Sequence, residues 1–164
     1  MIKAPIPENE EERLMAVKSL GVLDTKPEER FDRITKGITK KLNVPISLIS
    51  IIDADREWYK SCEGLSDKEN DRGNSFCGHA MLSSEIFIVE DTLLDERFKD
   101  NPNVIGKPFI RFYAGVTLHD RKTHLPVGVL CVKDFKPRKL DLDEVHHLLK
   151  AAEEAEIELN KKSE

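Results

Sequence analysis

The decapeptide FIRFYAGVTL, residues 109–118, alternates without a break: Ile110, Phe112, Ala114, Val116 and Leu118 fall on one side, Arg111, Tyr113, Gly115 and Thr117 on the other. Successive side chains of a pleated backbone point to opposite faces, so a strict period of two is the pattern of a strand resting one face on a core. The opposite face then carries an arginine, a tyrosine and a threonine on one wall. After a charged turn at 119–125, PVGVLCVK (126–133) reads as another apolar strand.

Toward the N-terminus, VPISLISII (44–52) places Ile46 and Leu48 on one face and Ile49 and Ile51 on the other. Apolar residues on both faces mark a central strand covered on both sides. EWYKSCEG (57–64) follows the turn at 53–56 as a more polar hairpin strand, 65–74 is a charged loop, and IFIV (86–89) is a short strand. Residues 90–108 form a long excursion with one helical turn at 94–98, a length that marks functional or mobile connections. Leu14, Val17 and Leu20 give residues 8–20 helical spacing, stopped by Gly21. Thr25, with Pro27 and Glu28 behind it, reads as a capping-box start for a helix striped by Phe31, Ile34, Ile38 and Leu42. Asp141 and Glu144 open a last helix, 141–160, striped by Leu142, Val145, Leu149, Ala152 and Leu159. Hairpin connections with helices at both ends predict an α+β fold built on an antiparallel sheet.

At 164 residues the chain is the size of one domain, able to bury about 70% of the surface its unfolded form exposes. Apolar residues make up 39% and charged residues 35%, so the surface is densely charged around an ordinary core. No signal-peptide core and no long apolar run is present, so a cytoplasmic location with no membrane partner is expected. The three cysteines, Cys62, Cys77 and Cys131, form no C-x-x-C pair and are read as reduced thiols. With a net charge of -5 and no basic stripe interleaved with aromatics, nucleic acid is excluded as a direct ligand.

RGNSFCGHAML (72–82) brings Cys77 and His79 close in sequence. If Asn74 or Ser75 caps a helix there, Cys77 lies in its first turn, where a thiol can be activated. Residues two apart on a helix diverge by about 200°, so the pair shares neither a proton nor a metal, and packing or pocket lining is the reading for Cys77. Arg111 has two readings: it grips a carboxylate or phosphate ligand, or it pairs internally with Asp91 or Asp95. Asp91 and Thr92 either cap a turn or reach the pocket. Trp58 is read as packing, and His119, His124, His146 and His147 lack metal spacing.

RFDRI (30–34), VPISLISIID (44–53), REWYKS (56–61), SFCGHAM (75–81), VEDTLLDERFKDNP (89–102), IRFYAG (110–115) and GVLCVKD (128–134), in this order, resemble the GAF domains of bacterial signalling proteins. The resemblance runs from residue 12 to 137. It implies a PAS-like antiparallel sheet of about five or six strands with helices on both faces. The N- and C-terminal helices would pack together on one face, with a pocket on the other closed by the central helix and long loop. It also implies a single GAF domain over 1–164, with its core at 12–137 and a terminal helix at 141–160.

Such modules bind cyclic nucleotides, tetrapyrroles, haem, small metabolites or nothing detectable, so the cofactor is left open. With no output domain, P-loop or dinucleotide fingerprint, the expectation is a stand-alone sensory or regulatory module that is not an enzyme. Its expected ligand site comprises Phe76, Cys77, Asp91, Thr92, Arg111, Tyr113 and Thr117, with no catalytic residue and no metal. A homodimer through the terminal helices and a signalling protein partner are expected with it. The alternatives are a cysteine redox enzyme of the free-methionine-sulfoxide-reductase type and a ligand-free dimerisation module.

Overall fold

The computed structural model describes residues 1–84 and 86–161. Six strands, β1 (Ile46–Ile52), β2 (Arg56–Glu63), β3 (Glu69–Asp71), β4 (Phe87–Val89), β5 (Phe112–His119) and β6 (Pro126–Asp134), form one sheet in the order β3-β2-β1-β6-β5-β4. Every neighbouring pair is antiparallel. The helices are α1 (Glu10–Leu20), α2 (Glu29–Leu42), α3 (Phe76–Ala80), α4 (Pro102–Ile105) and α5 (Leu142–Asn160).

The sheet separates two apolar cores. On one face α2 and α5 pack over Ile49, Ile51, Phe112, Ala114, Leu118, Leu130 and Val132, and Ala16 and Val17 of α1 join them. On the other, α3 and the segment between β4 and β5 cover Ile46, Leu48, Val129, Cys131 and Tyr113. The central β1 is buried at every residue, as apolar residues on both faces require. A buried ion cluster joins α1 to this frame: Arg13, fully buried, donates to Glu10 at 2.6 Å, and Arg72 meets the same carboxylate.

Four details differ from the sequence expectation. Ile110 packs with Tyr113's core rather than with Phe112, because the strand begins only at Phe112 and Phe109 turns the chain with φ 59°; period two holds only where the backbone is extended. The charged segment 65–74 contains β3, which pairs Asp71, Asn70 and Glu69 with Arg56, Glu57 and Trp58. It is an edge strand, which needs no apolar pattern because one side meets water. Thr25 does not cap α2: its hydroxyl donates to the Val22 carbonyl and accepts from the Lys60 ammonium, while the helix starts after Glu28. The buried face of α5 is Leu148, Ala152, Ala155 and Leu159, leaving Leu142 and Leu149 exposed at 88% and 44%. The long excursion holds a 3-10 turn at Thr92–Leu94, a hydrogen-bonded turn from the Asp95 carbonyl to the Lys99 amide, and α4.

Two glycines test this packing in opposite senses. Gly37 sits inside α2, and a side-chain carbon added there would meet nothing within 4 Å, so Gly37→Ala stabilises by about 0.5–1 kcal/mol. At Gly128 that carbon would lie 2.1 Å from the Ser50 carbonyl oxygen, and Gly128→Ala costs about 1–3 kcal/mol or more. Urea midpoints at unchanged slope measure both.

Candidate functional site

The α3 roof is short and tied at both ends. Ser75 caps it, its hydroxyl accepting from the Gly78 amide at 2.9 Å. Gly78 is where the N-terminal segment crosses: a side chain there would stand 2.6 Å from Ala4 Cβ. At the far end the Thr117 hydroxyl donates to the Ala80 carbonyl at 3.1 Å. His79 points away, its Nε2 2.9 Å from the Ile2 carbonyl oxygen, so it diverges from Cys77 as helical spacing requires.

Beneath this roof Phe76, Cys77 and Tyr113 come together. The Tyr113 ring, fully buried, stacks on Phe76 at 5.3 Å and 17°, and its hydroxyl donates to Cys77 Sγ at 3.0 Å. Phe98, from the long connection, closes the stack 4.6 Å from Phe76. Gly115 makes room for the phenol, since a Cβ there would lie 2.5 Å from the Tyr113 oxygen. Strand register sets Cys131 opposite both Leu48 and Gly115, and Leu48 opposite Cys62, so all the thiols belong to this face. Burial first, and then the neighbouring Cys131, push the Cys77 thiol well above its ordinary range. Burial does the same to Tyr113. An activated nucleophile needs the opposite shift.

Asp91, Thr92 and Arg111 form a second cluster. Arg111 Nη2 donates to Asp91 Oδ1 at 3.0 Å, and that oxygen also accepts from the Leu93 amide. The Thr92 hydroxyl donates to the Ile110 carbonyl at 2.8 Å, and its amide to the Arg111 carbonyl. Of the two internal partners weighed for Arg111, Asp91 is the one engaged; Asp95 pairs with Arg97 at 2.7 Å. The cluster pins the long connection to the start of β5. Thr117, through the α3 carbonyls, pins the other side of the roof.

Two charged residues on this face were missed in the sequence. Lys133 is only 4% exposed, yet its side chain makes no hydrogen bond or ion pair among the described residues. Its ammonium lies 5.5 Å from the Phe76 ring centre and 6.0 Å from that of Tyr113, within reach of a cation–π attraction. Glu57 is fully buried; one carboxylate oxygen accepts from the Ser50 hydroxyl at 2.7 Å and the other has no partner among the described residues. Burial opposes the charge on Lys133, but Glu57, followed by Cys131, outweighs it, and its pKa is raised. The signal was present in PVGVLCVK: Lys133 is in phase with Val129 and Cys131, so a strand buried on both sides turns it inward.

Lys133 ends at a crevice of about 40 Å³ between β2, β3 and the α4 segment, with Tyr59, Asn70, Asn103 and Ile110 among its walls. A much larger open groove, about 530 Å³, runs along the β2 edge past Trp58 and Lys60. It adjoins the crevice, sharing Tyr59, Leu65 and Asp67 with it, and opens to solvent beside the β2 edge. Among the described residues no group of three His, Cys, Asp or Glu is placed to hold a metal, and no helix is long and apolar enough to cross a membrane.

A protein named cyclic di-GMP phosphodiesterase, from Pseudomonas aeruginosa, is 43% identical over 138 residues, covering 84% of this chain and 23% of that protein. The chain thus spans about a quarter of the curated relative it matches. This corrects the expectation that the chain is not an enzyme. A sequence this similar lies in a protein named for an enzymatic activity, so the lack of a P-loop or dinucleotide fingerprint was no ground for excluding one. The fold matches the GAF domain of an Acinetobacter phosphoenolpyruvate-protein phosphotransferase at TM-score 0.62 and 16% identity, over 90% of this chain and 92% of that one. It also matches a type II free methionine-R-sulfoxide reductase from Thermoplasma acidophilum at TM-score 0.63 and 11% identity, over 90% and 94%.

Native thiol titration follows from the burial pattern: partly buried Cys62 reacts first, and Cys77 and Cys131 react only as the protein unfolds. Fast modification of Cys77 in the folded protein would contradict the geometry above. The model of the GAF domain matches residues 26–159, which include all six strands and both roofed clusters, and the chain belongs to the GAF domain family.

Proposed function

We propose that the chain is a sensory module that takes a small ligand through an anionic group placed on Lys133. The observation that carries this reading is a lysine only 4% exposed whose ammonium makes no hydrogen bond or ion pair among the described residues. A buried charge without hydrogen bonds is costly, and Glu57 stands beyond the 4.0 Å of an ion pair. A carboxylate or phosphate entering the crevice would supply the missing acceptors in a low-dielectric setting, where a charge-assisted bond is strong.

Phe76 and Tyr113 frame this ammonium and Cys77 backs the tyrosine, whereas Asp91, Thr92, Arg111 and Thr117 act on the ligand through the roof they anchor. The ligand then selects one arrangement of that roof by differential affinity. Lys133 and Val132 are adjacent on β6 and face opposite cores, so a shift of β6 reaches the α2–α5 layer directly. By likeness to the phosphodiesterase relative, we propose that this response is read out in cyclic di-GMP turnover.

For output we propose a second copy of the chain on α5. Leu142, Leu149 and Ile157, seven and eight residues apart, make an exposed seam beside the buried stripe. Leu149→Glu is expected to shift the molar mass in light scattering from dimer to monomer with the circular dichroism unchanged.

Native mass spectrometry of freshly purified protein tests for a retained anion. At a hundredfold excess over Kd a carboxylate or phosphate ligand contributes about 2.7 kcal/mol, a rise of roughly 5–10 °C in Tm for a chain of this size. Lys133→Met removes that rise. Since this variant leaves Glu57 buried without a counter-charge, the double variant Lys133→Met with Glu57→Gln is the folded control. Persistence of the rise in the double variant would remove Lys133 from the site.

A further inference from the structure

The proposed anion site has a second chemical feature at its mouth. The crevice that ends on Lys133 is rimmed by Asp67 and Glu69, both exposed. Glu69 is engaged by Arg56 at 3.3 Å, but the Asp67 carboxylate has no hydrogen bond or ion pair among the described residues. The side-chain amides of Asn70 and Asn103 and the Tyr59 hydroxyl, on the walls between, are likewise without partners among the described residues. A buried cation at the base, a free carboxylate at the rim and neutral polar groups between them make a graded electrostatic profile. A purely anionic ligand would meet repulsion at the entrance. A purely cationic one would meet it at the base.

We infer, resting on the anion site proposed above, that the ligand is a zwitterion: a small α-amino acid with an uncharged side chain. Its carboxylate takes the donors of Lys133, and its ammonium faces Asp67 with Asn70 and Asn103 alongside. The two charges of an α-amino acid travel together on neighbouring carbons, so a single small molecule answers both ends of the crevice. About 40 Å³ accommodates the carboxylate end, since a single water needs roughly 10–15 Å³ by this measure. The α-carbon substituent lies toward the mouth, against Leu65 and Pro108, where a short apolar group is favoured and a charged one is not.

The test uses the full chain with glycine, L-alanine, L-serine, L-valine and L-leucine. Each amino acid is compared with the corresponding 2-hydroxy acid, which lacks the ammonium, and the corresponding primary amine, which lacks the carboxylate. Binding is read by calorimetry and by thermal shift. At least one amino acid is expected to bind, with the hydroxy acid weaker by about tenfold or more and the amine not binding. Asp67→Asn, at an exposed position, is expected to weaken the amino acid by about tenfold while leaving the hydroxy acid no weaker, since it loses only a repulsion. That pattern reports the ammonium contact alone, a loss of about 1.4 kcal/mol.

Equal binding of amino acid and hydroxy acid, or an Asp67→Asn variant that binds the amino acid like the wild type, overturns the zwitterion and leaves the anion site standing. If no amino acid binds, the zwitterion falls alone; if binding survives in the double variant of Lys133 and Glu57, both readings fall.

Discussion

A strand buried on both faces has no side on which a charge can meet bulk water, and β6 carries one at Lys133. That constraint organises much of the molecule. The sheet splits the interior into two cores, and the middle strands alternate their side chains strictly between them. On the α2–α5 side β6 is apolar through Leu130 and Val132 and ends in Asp134, which pairs with Arg138 at 3.0 Å, whereas the roofed side ends in an ammonium with Glu57 on β2 as its distant counter-charge. Apolar burial of a side chain is worth about 1.5–3 kcal/mol, so the fold has stability enough to hold such a group. What keeps the group charged is the carboxylate across the sheet and the aromatic faces of Phe76 and Tyr113 beneath the roof.

The roof itself is made of parts too small to stand alone. α3 and α4 are one-turn helices, well below the length at which a helix is stable in water. Each is held by specific side-chain bonds: Ser75 at the start of α3, Thr117 at its end, Asn101 capping α4, and the Asp91–Arg111 pair where the long connection leaves the sheet. Both also bury apolar side chains against the sheet, Phe76, Cys77 and Ala80 from α3 and Val104 from α4. A ligand at Lys133, as proposed, would meet the sheet as its floor and α3 and α4 as its cover, and the α2–α5 layer lies on the other face of the same strands.

Much of the architecture was legible in the chain because it follows from local periodicity. The alternation of 109–118, the doubly apolar 44–52 and the helical stripes of 29–42 and 141–160 each state their own geometry. A cap at Asn74 or Ser75, of which the structure uses Ser75, and the divergence of Cys77 and His79 were equally readable, since both depend only on helix geometry. The departures have physical causes. Edge strand β3 has no apolar face to betray it. Phe109 with its positive φ breaks the alternation just before the strand starts, and α5 turns Leu148 inward in place of Leu149 because the contact surface of α2 and β5 decides which side of the helix is buried.

What the sequence by itself determined is the long helices and the apolar strands, the antiparallel class and the two faces of those strands, because these rest on spacing along the chain. The site was decided only by tertiary structure. Whether Arg111 answers to Asp91 or Asp95, whether Tyr113 donates to Cys77, and that Lys133 finds no acceptor under the roof all depend on distances between residues remote in sequence. A lysine ending an apolar strand reads the same whether its ammonium escapes to bulk water or ends in a crevice beside aromatic rings. The difference lies in what α3 and the α4 segment place above it.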